Sequence, residues 1–442
     1  MSMHELFQWV IGVIFGLTAV FNVILPFGGV NRLKGTVTDT LPVTPEDFVP
    51  EIRLVLFTDS HNQNHHVAKA IDTAYALFDN DAVYPGVDGF FGLGDFSSVG
   101  FEGHYVNYAN TLREHVRPET ACINIHGNHE FKHDEYREFF IRNFGYDPNT
   151  VTEINGFSCI AFSGERGATE WTFTANSLKW LSNAITDAEK TANGKAIFVF
   201  NHPHPWGTVY GSTVWGDPQL NVVLNGHTSV VDFSGHSHFP LNDPRSINQT
   251  TYTAFGCGAM ATFETDMDYI PGQHPDGYDP AAQMTIVEAD SDGSVRIRGY
   301  DLLSDTFICE YYIDNVNDKA SFPYTFKNMY AHDTKPVFPE NASATARKNE
   351  AGEWVISFDE ATAAPGYIVH EYRVTIKNDK GLIIYTKNFV DDYFVFDDDR
   401  TADFRIGTDT LEAGKSYTAV IRAESAYHKY SCSVSLPFTA QG

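Results

Sequence analysis

Cysteine and basic residues are both scarce in this chain of 442 residues. The five cysteines are scattered singly along it, which excludes a disulfide framework or a cysteine-based zinc site. Lys and Arg total 30 against 57 Asp and Glu, for a formal charge of -27. Because that charge repels phosphate backbones, we expect no duplex nucleic acid as a partner. A small phosphorylated substrate is still compatible with it where a local cation offsets the acidic field.

The composition otherwise fits a large globular protein. Apolar residues make up 43% of the chain and charged residues 20%, enough apolar surface to bury a sizeable core. The length suits two or three domains, or one large α/β domain with a small additional module.

Residues 7–27 contain no charged side chain, and a helix of that length spans about 30 Å, close to the hydrocarbon thickness of a bilayer. We expect residues 1–30 to be an export signal or membrane anchor rather than a core helix, followed by a linker over residues 31–50. Cleavage is left open. The positive flank, Arg32 and Lys34, would by the positive-inside rule keep the body in the cytoplasm, which conflicts with export.

Residues 51–320 alternate apolar runs of strand length with stretches of helical periodicity. This alternation is typical of stacked βαβ units, with buried sheets and helices outside. After about residue 250 the strands become shorter and turns separate them, which predicts antiparallel closure of a sheet. We therefore predict one α/β domain over this range.

Beyond a second predicted linker, residues 321–339, the helical pattern stops. Residues 340–442 read as about seven short strands, a spacing that suits a β-sandwich of about 100 residues. Such a domain is expected to position the enzyme or to contact another surface. The predicted strands are EWVISFDEA, IVHEYRVTIKN, GLIIYTKNF, DYFVFD, DFRIG, SYTAVIRAES and SCSVSLPF.

Leu411, Gly414 and Tyr417 stand just before the penultimate predicted strand. This L-x-x-G-x-x-Y arrangement resembles the tyrosine corner of fibronectin type III and immunoglobulin-like domains. Trp354, in an early strand, fits the same resemblance.

Five polar motifs follow predicted strands of the α/β region, where open α/β sheets place their ligands. Each motif alone has an ordinary structural explanation, such as a helix cap or a turn. Together they offer oxygen and nitrogen donors that suit Mn, Fe or Zn and differ from a thiolate site. The donors are Asp59, His61, Asp95, Asn128, His202, His236 and His238.

The ordered pattern D-x-H, G-D, G-N-H-E, H and G-H-x-H resembles the calcineurin-like metallophosphoesterase superfamily over roughly residues 50–315. The resemblance implies a two-sheet sandwich flanked by helices and a two-metal phosphoester hydrolase. It implies that Asp95 bridges the two divalent ions and that His129 is an acid or electrostatic partner rather than a ligand. One ion would be held by Asp59, His61 and His238, and the other by Asn128, His202 and His236.

The motifs differ from those of the purple acid phosphatase branch, which carries D-x-G and G-D-x-x-Y. Here the first motif ends in His61, and Ser98 stands three residues after Asp95. No tyrosinate ligand is therefore expected.

Aromatic side chains in the Gly-rich loop after His202 could stack on a base or another ring of the substrate. They are Trp206, Tyr210 and Trp215, and a hydrophobic cluster within the loop is the alternative. Arg245 could anchor a phosphate, or pair with a neighbouring aspartate instead.

The sequence thus predicts an exported or membrane-tethered metal-dependent phosphoesterase, with nucleotides or cyclic nucleotides slightly favoured among phosphomonoesters and phosphodiesters. The rival hypothesis is a noncatalytic surface binding or adhesion protein that retains the fold. Because every proposed ligand precedes the second linker, we also expect a chain that ends near Asp333 to fold and hydrolyse small substrates.

Overall fold

A computed structural model describes residues 35–163, 173–268, 270–396 and 401–441. The predicted signal or anchor, residues 1–30, lies outside the described residues and stays a prediction. Among the described residues, no helix has both the length and the apolar character needed to cross a membrane.

The α-helices of the described ranges are α1 (Asn64–Phe78), α2 (Glu102–His115), α3 (Tyr136–Phe144), α4 (Ala175–Glu189), α5 (Ser212–Trp215), α6 (Pro218–Leu224) and α7 (Phe326–His332). The strands before α7 are β1 (Ile52–Phe57), β2 (Gly89–Gly92), β3 (Ala121–Asn124), β4 (Thr150–Ile154), β5 (Phe157–Ala161), β6 (Ile197–Phe200), β7 (His204–Pro205), β8 (Gly216–Asp217), β9 (Val230–Ser234), β10 (Ile247–Gln249), β11 (Thr253–Gly256), β12 (Thr265–Met267), β13 (Ile270–Gln273), β14 (Gln283–Ala289), β15 (Val295–Asp301) and β16 (Thr306–Ile313). Those after it are β17 (Ala344–Lys348), β18 (Trp354–Asp359), β19 (Val369–Asn378), β20 (Ile383–Val390), β21 (Thr401–Ile406), β22 (Ser416–Ser425) and β23 (Val434–Gln441).

Two six-stranded sheets form the α/β region. Their strand orders are β16-β15-β14-β1-β2-β3 and β10-β11-β9-β6-β5-β4. Buried side chains from both sheets, such as Leu54, Phe91, Phe198 and Phe233, share one apolar core. Helices α1, α2 and α3 contribute to a second core beside the first sheet, and α4 and α6 to another beside the second. The predicted two-sheet sandwich with flanking helices is confirmed.

The pairing pattern brings the ends of several strands to one edge. Strands β1, β2 and β3 are parallel, as are β5, β6, β9 and β11. Strands β14, β15 and β16 extend the first sheet in antiparallel fashion, as the turn-separated pattern predicts. Parallel strands of one sheet end at the same edge, so the loops after β1, β2 and β3 gather at one edge of the first sheet and those after β6 and β9 at one edge of the second. Contacts between Asp95 and His202 and between Asp59 and His238 show that the two edges meet.

The C-terminal region is all-β, as predicted. Its seven strands have the order β20-β19-β22-β23-β17-β18-β21, and side chains such as Trp354, Tyr372 and Ile421 pack into one core. The backbone N–H of Glu412 donates to the Tyr417 hydroxyl at 3.0 Å, a local contact of the kind found in a tyrosine corner. Membership of the fibronectin type III family stays a prediction.

Two expectations for this region are wrong in detail. The segment DYFVFD is not a strand where the structure describes it: Tyr393 and Phe394 lie in a turn, and Phe394 packs with Phe263 and Ala281 of the α/β region. Strand β17 (Ala344–Lys348) was not predicted. Its apolar residues are alanines, which carry little strand signal.

The segment predicted as the second linker is packed against the fold. Within residues 321–339 lies α7, whose Asn328 and Met329 are buried, and Tyr324 before it is buried as well. The Tyr324 hydroxyl donates to the carbonyl of Tyr312 at 2.9 Å. The exact domain limits stay predictions, but this segment lies against the body of the protein.

Candidate metal centre

The five predicted motifs lie on the loops gathered at the common sheet edge. Asp59 comes two residues after β1, Asp95 three after β2 and His202 two after β6, while Asn128 and the His236/His238 pair follow β3 and β9. All seven predicted ligands are buried or half-buried. The structure thus brings together residues that the sequence spreads over 180 positions.

The backbone is strained at the site. Five of the seven predicted ligands have a positive φ, which non-glycine residues rarely adopt because Cβ crowds the backbone. Such conformations cost of order 1–3 kcal/mol each and persist only where the surroundings impose them. The five are Asp59, His61, Asp95, His236 and His238, with φ of 54°, 42°, 50°, 75° and 57°.

Two motif glycines allow the loops to approach the carboxylates closely. A Cβ on Gly127 would lie 2.2 Å from Asp95 Oδ1, and a Cβ on Gly235 would lie 2.6 Å from Asp59 Oδ2. Both distances are too short for any side chain. Glycine at these positions is therefore a requirement of the packing around the two carboxylates.

Asp59, His61 and His238 form the first cluster. Their ligand atoms all lie within 4.8 Å of one another: His238 Nε2 is 3.2 Å from Asp59 Oδ1 and 3.1 Å from His61 Nε2. His238 Nδ1 lies 3.0 Å from the carbonyl of Thr262. That contact requires Nδ1 to carry the hydrogen, so the lone pair of the neutral ring lies on Nε2, toward the cluster.

Asp95, His202 and His236 form the second cluster, again within 4.8 Å. His202 Nδ1 donates to the carbonyl of Leu93 at 2.8 Å, which directs Nε2 toward Asp95 Oδ2 at 3.3 Å. Asn128 joins the cluster, with its Oδ1 3.1 Å from His202 Nε2. Each predicted ligand therefore lies in the cluster that the family resemblance implies.

Asp95 lies between the two clusters. Its Oδ2 is 3.3 Å from His202 Nε2 of the second cluster and 4.0 Å from His61 Nε2 of the first. Its Oδ1 accepts the backbone N–H of His129 at 2.8 Å, which fixes the rotation of the carboxylate. A carboxylate with this placement has the position that a bridging ligand needs.

The electrostatics of the site favour bound positive charge. Burial opposes ionisation of Asp59 and Asp95, but the neighbouring histidines outweigh it and lower the pKa of both carboxyls. Conversely, burial would lower the pKa of His202, yet the two carboxylates raise it to about 10. Two buried carboxylates this close together need compensating cations, which protonated rings or divalent ions can supply.

The donor set fits divalent cations. Among the described residues, Asp59 Oδ1 is a buried oxygen with no hydrogen-bond partner, a state that normally costs stability. Two nitrogens bound to one cation at about 2.1 Å lie roughly 3 Å apart, and His61 Nε2 and His238 Nε2 are 3.1 Å apart. Imidazole and carboxylate ligands without thiolate suit Mn, Fe or Zn.

His129 lies at the edge of the site, beside the first cluster. Its Nε2 is 3.9 Å from Asp95 Oδ2, and its Nδ1 is 2.7 Å from the carbonyl of Ser98. The ring is partly exposed, with 29% of the side chain accessible. His61, Asp95 and His129 also lie close enough to share an ion, so both a ligand and a proton-donor role fit the geometry.

Glu130 is a site residue to which the sequence analysis gave no role. It is fully buried, and its carboxylate accepts the backbone N–H groups of Asp95, Ser97 and Gly127 at 2.9, 2.8 and 2.6 Å. Burial and the nearby Asp95 raise the pKa of Glu130 to about 8, against the effect of these donors. Glu130 thus joins the Asp95 loop to the Asn128 loop. The position of Glu130 in the G-N-H-E motif is the sequence signal from which this role could have been inferred.

Two residues predicted to contact substrate do not face the site. Tyr210 is buried and stacks on Phe239, with ring centroids 3.7 Å apart. Arg245 is 4% exposed, pairs with Asp243 at 2.6 Å, and lies over the Tyr210 ring at 3.5 Å. The alternative explanations, loop packing for Tyr210 and an aspartate pair for Arg245, are the ones that the structure supports.

The two tryptophans of this loop differ in position. The Trp215 ring lies edge-on to the His236 ring, with centroids 6.4 Å apart. Trp206 Nε1 donates to the carbonyl of Thr213 at 3.3 Å, within its own loop. Both are half-buried. Trp215 is therefore the aromatic candidate for a substrate contact, and Trp206 has a loop contact of its own.

The two sheets, their loops and the two Asp/His clusters together fit a metal-dependent enzyme of the α/β class. Residues 52–240 match the sequence model of the family described as calcineurin-like phosphoesterase. This part of the chain is a calcineurin-like metallophosphoesterase domain, and the family implies divalent metal ions and hydrolysis of phosphoesters.

The solved structures that the chain matches are distant from it. A purple acid phosphatase from yellow lupin seeds is 11% identical, with a TM-score of 0.40, over 60% of this chain and 54% of that one. The chain thus spans about half of the lupin enzyme. A cold-active protein-tyrosine phosphatase of a psychrophilic Shewanella species is 12% identical, with a TM-score of 0.26, over 62% of this chain and 89% of that one. No curated protein matches the sequence.

Proposed function

We propose that the protein is a binuclear metal-dependent phosphoesterase. The single observation that carries this proposal is the position of Asp95, whose Oδ2 lies 3.3 Å from a histidine of one cluster and 4.0 Å from a histidine of the other. Asp59, His61 and His238 would hold one ion, and Asn128, His202 and His236 the other, with Asp95 shared. When bound, two divalent ions lower the pKa of a water and neutralise phosphoryl oxygens.

The chain's own residues orient the ligands and provide a proton. The carbonyls of Leu93 and Thr262 fix the orientations of the His202 and His238 rings. Little side-chain entropy is therefore lost when these rings bind an ion. His129 is half-exposed at the edge of the site, where a protonated ring donates to the leaving-group oxygen of a phosphoester. The Nδ1 contact with Ser98 resembles those that orient His202 and His238 and does not separate the two roles. The donor role is proposed from the family resemblance and from the exposure of the ring at the edge of the site.

For the substrate we propose a small phosphomonoester or phosphodiester, with a nucleotide or cyclic nucleotide favoured. Support for a ring-bearing substrate now rests on Trp215 beside His236, since Tyr210 is buried. A base stacked on an aromatic side chain gains about 1–3 kcal/mol.

The test is metal analysis of the purified protein, followed by a panel of phosphoesters that includes mononucleotides, cyclic nucleotides and small aliphatic esters. We expect one to two equivalents of transition metal and turnover of at least one ester. Metal-free protein that does not bind Mn²⁺ or Zn²⁺ and hydrolyses none of the panel would favour a noncatalytic surface binding protein.

We further propose that residues 7–27 direct the chain to a membrane or out of the cytoplasm, on the basis of their uncharged apolar sequence. Fractionation of cells that express the full chain and a chain without residues 1–30 tests this. Equal recovery of both in the cytosolic fraction would refute it.

A further inference from the structure

His370 lies on β19 in the C-terminal region, yet its side chain contacts Asp266 and Arg245 of the α/β region. The side chain is 1% exposed. Its Nε2 is 2.5 Å from Asp266 Oδ1 and 3.1 Å from the Asp266 carbonyl. Its Nδ1 is 3.2 Å from Nη2 of Arg245, which can only donate. One imidazole thus joins two segments that are separate in the sequence.

The first of these segments, residues 262–266, contacts His238. The carbonyl of Thr262 accepts from His238 Nδ1 at 3.0 Å, and the Glu264 backbone N–H donates to the His238 carbonyl at 2.9 Å. Asp266 follows two residues later on β12. The contact from His370 therefore fixes the end of the segment that orients the His238 ring.

The second segment continues from His238 itself. Phe239 follows His238 directly, and its ring stacks on Tyr210. The guanidinium carbon of Arg245 also lies over the Tyr210 ring, 3.5 Å from its centroid. The Tyr210 hydroxyl accepts the backbone N–H of Asp266 at 2.9 Å. Tyr210 therefore connects the two segments that His370 also connects.

These contacts make a buried unit behind the first cluster, which we call the His370 cluster. Its members Tyr210, Asp243, Arg245, Asp266 and His370 are each at most 5% exposed. Buried ionic groups are stable only when their partners stay in place, so removal of one member is costly. Because the other four members belong to the α/β region, the C-terminal region completes this unit.

We propose that His370 is a positioning residue for the metal centre, which fixes the orientation of His238 by holding Asp266 and Arg245. The inference rests on the proposed function, in which His238 is a metal ligand. It makes the C-terminal region part of the catalytic unit. Substitutions of groups that orient ligands typically cost 10–100-fold in metal affinity, and we expect His370→Ala to show a loss of that order at the His238 site only.

The experiment is calorimetric titration of the full-length, metal-stripped chain with Mn²⁺ alone, accompanied by thermal unfolding. We expect two binding events in the unaltered protein. The event that His238→Ala abolishes identifies the site to which His238 belongs. His370→Ala should weaken Mn²⁺ binding in that event about 10–100-fold and leave the other event unchanged. His370→Gln, whose amide can reach Asp266, should recover part of the affinity.

Tyr367→Phe is the matched control. It removes another buried contact of the C-terminal region, in which the Tyr367 hydroxyl donates to the Met329 carbonyl at 2.9 Å, and it should leave both binding events unchanged. Equal weakening of both events in His370→Ala, or the same weakening in Tyr367→Phe, would overturn the positioning role in favour of general stability.

Unchanged affinities in His370→Ala would also overturn the positioning role while the proposed function stands. Absence of Mn²⁺ binding in the unaltered chain would overturn the proposed function, and this inference with it. If His370→Ala does not fold, the same titration is made with Asp266→Asn, which keeps the size of the Asp266 side chain and removes its charge. The same selective loss is expected there, and unchanged affinities would refute the proposal.

Discussion

His61 Nε2 and His238 Nε2 lie 3.1 Å apart, although the residues are 177 positions apart in the chain. His238 donates from Nδ1 to the Thr262 carbonyl, so its Nε2 lone pair faces His61 when the ring is neutral. A hydrogen on His61 Nε2 would donate to that lone pair, and a metal ion would bind both nitrogens. A shared metal ion would also give a partner to Asp59 Oδ1, which receives no hydrogen bond from His238 Nε2, 3.2 Å away, when that nitrogen carries its lone pair.

Substitution of Asp95 by asparagine should remove both metal and activity. The amide lacks the negative charge and the second oxygen acceptor that a bridging position needs. Metal content by elemental analysis and turnover of a responsive ester should fall together. Full turnover of the unaltered protein after dialysis against excess chelator would contradict metal dependence itself.

Substitution of His129 by alanine should separate binding from catalysis. We expect most of the metal to stay, while kcat falls by about 10²–10⁴-fold, the usual contribution of a positioned acid. Asp59→Ala is the comparison, since it should lose metal. If His129→Ala loses metal to the same degree, His129 is a ligand, as its distance to Asp95 permits.

Substitution of Glu130 by glutamine should weaken the site without touching a ligand. The three backbone N–H groups that donate to the carboxylate cannot all be satisfied by an amide with one oxygen. We expect a loss of about 1–3 kcal/mol in the free energy of unfolding and weaker metal binding. Denaturant unfolding of the metal-free protein measures the first effect, and an unchanged midpoint would show that the carboxylate does not hold the loops.

Substitution of Trp215 by alanine tests recognition of a ring. Loss of one stacking contact should lower kcat/KM for a nucleotide about five- to 150-fold and leave a small aliphatic phosphoester nearly unaffected. Trp206→Ala is the control from the same loop, and it should affect both substrates alike. Equal losses on both substrates in Trp215→Ala, with a lowered melting temperature, would assign Trp215 to packing.

Removal of the C-terminal region should abolish activity, contrary to what the order of motifs suggests. A chain that ends near Asp333 would leave Arg245 and Asp266 without His370, and would expose Phe263, which now packs against Phe394. We expect aggregation or loss of turnover. A soluble, active truncated protein would show that the two regions are independent.

The sequence by itself indicated the fold of the α/β region and a set of candidate ligands. Alternation of strands and helices is a local pattern, and parallel strands must end at a common edge, so polar motifs at those ends meet whatever the loop details. That is why Asp59 and Asp95, which follow neighbouring strands of the first sheet, could be placed together. His202 follows a strand of the second sheet, and the packing of the two sheets brings it to them. The resemblance to a known family then assigned them to two clusters.

The tertiary structure decided which side chains face the site and which support it. Tyr210 and Arg245 follow the motifs closely in sequence, yet they are buried against Phe239 and Asp243. His370 lies 104 positions beyond the Asp266 carbonyl that it contacts. Burial and long-range pairing depend on segments far apart in the chain, and no local pattern carries that information. Only the packed molecule shows that the C-terminal region contacts Asp266 and Arg245, on the two segments that adjoin His238.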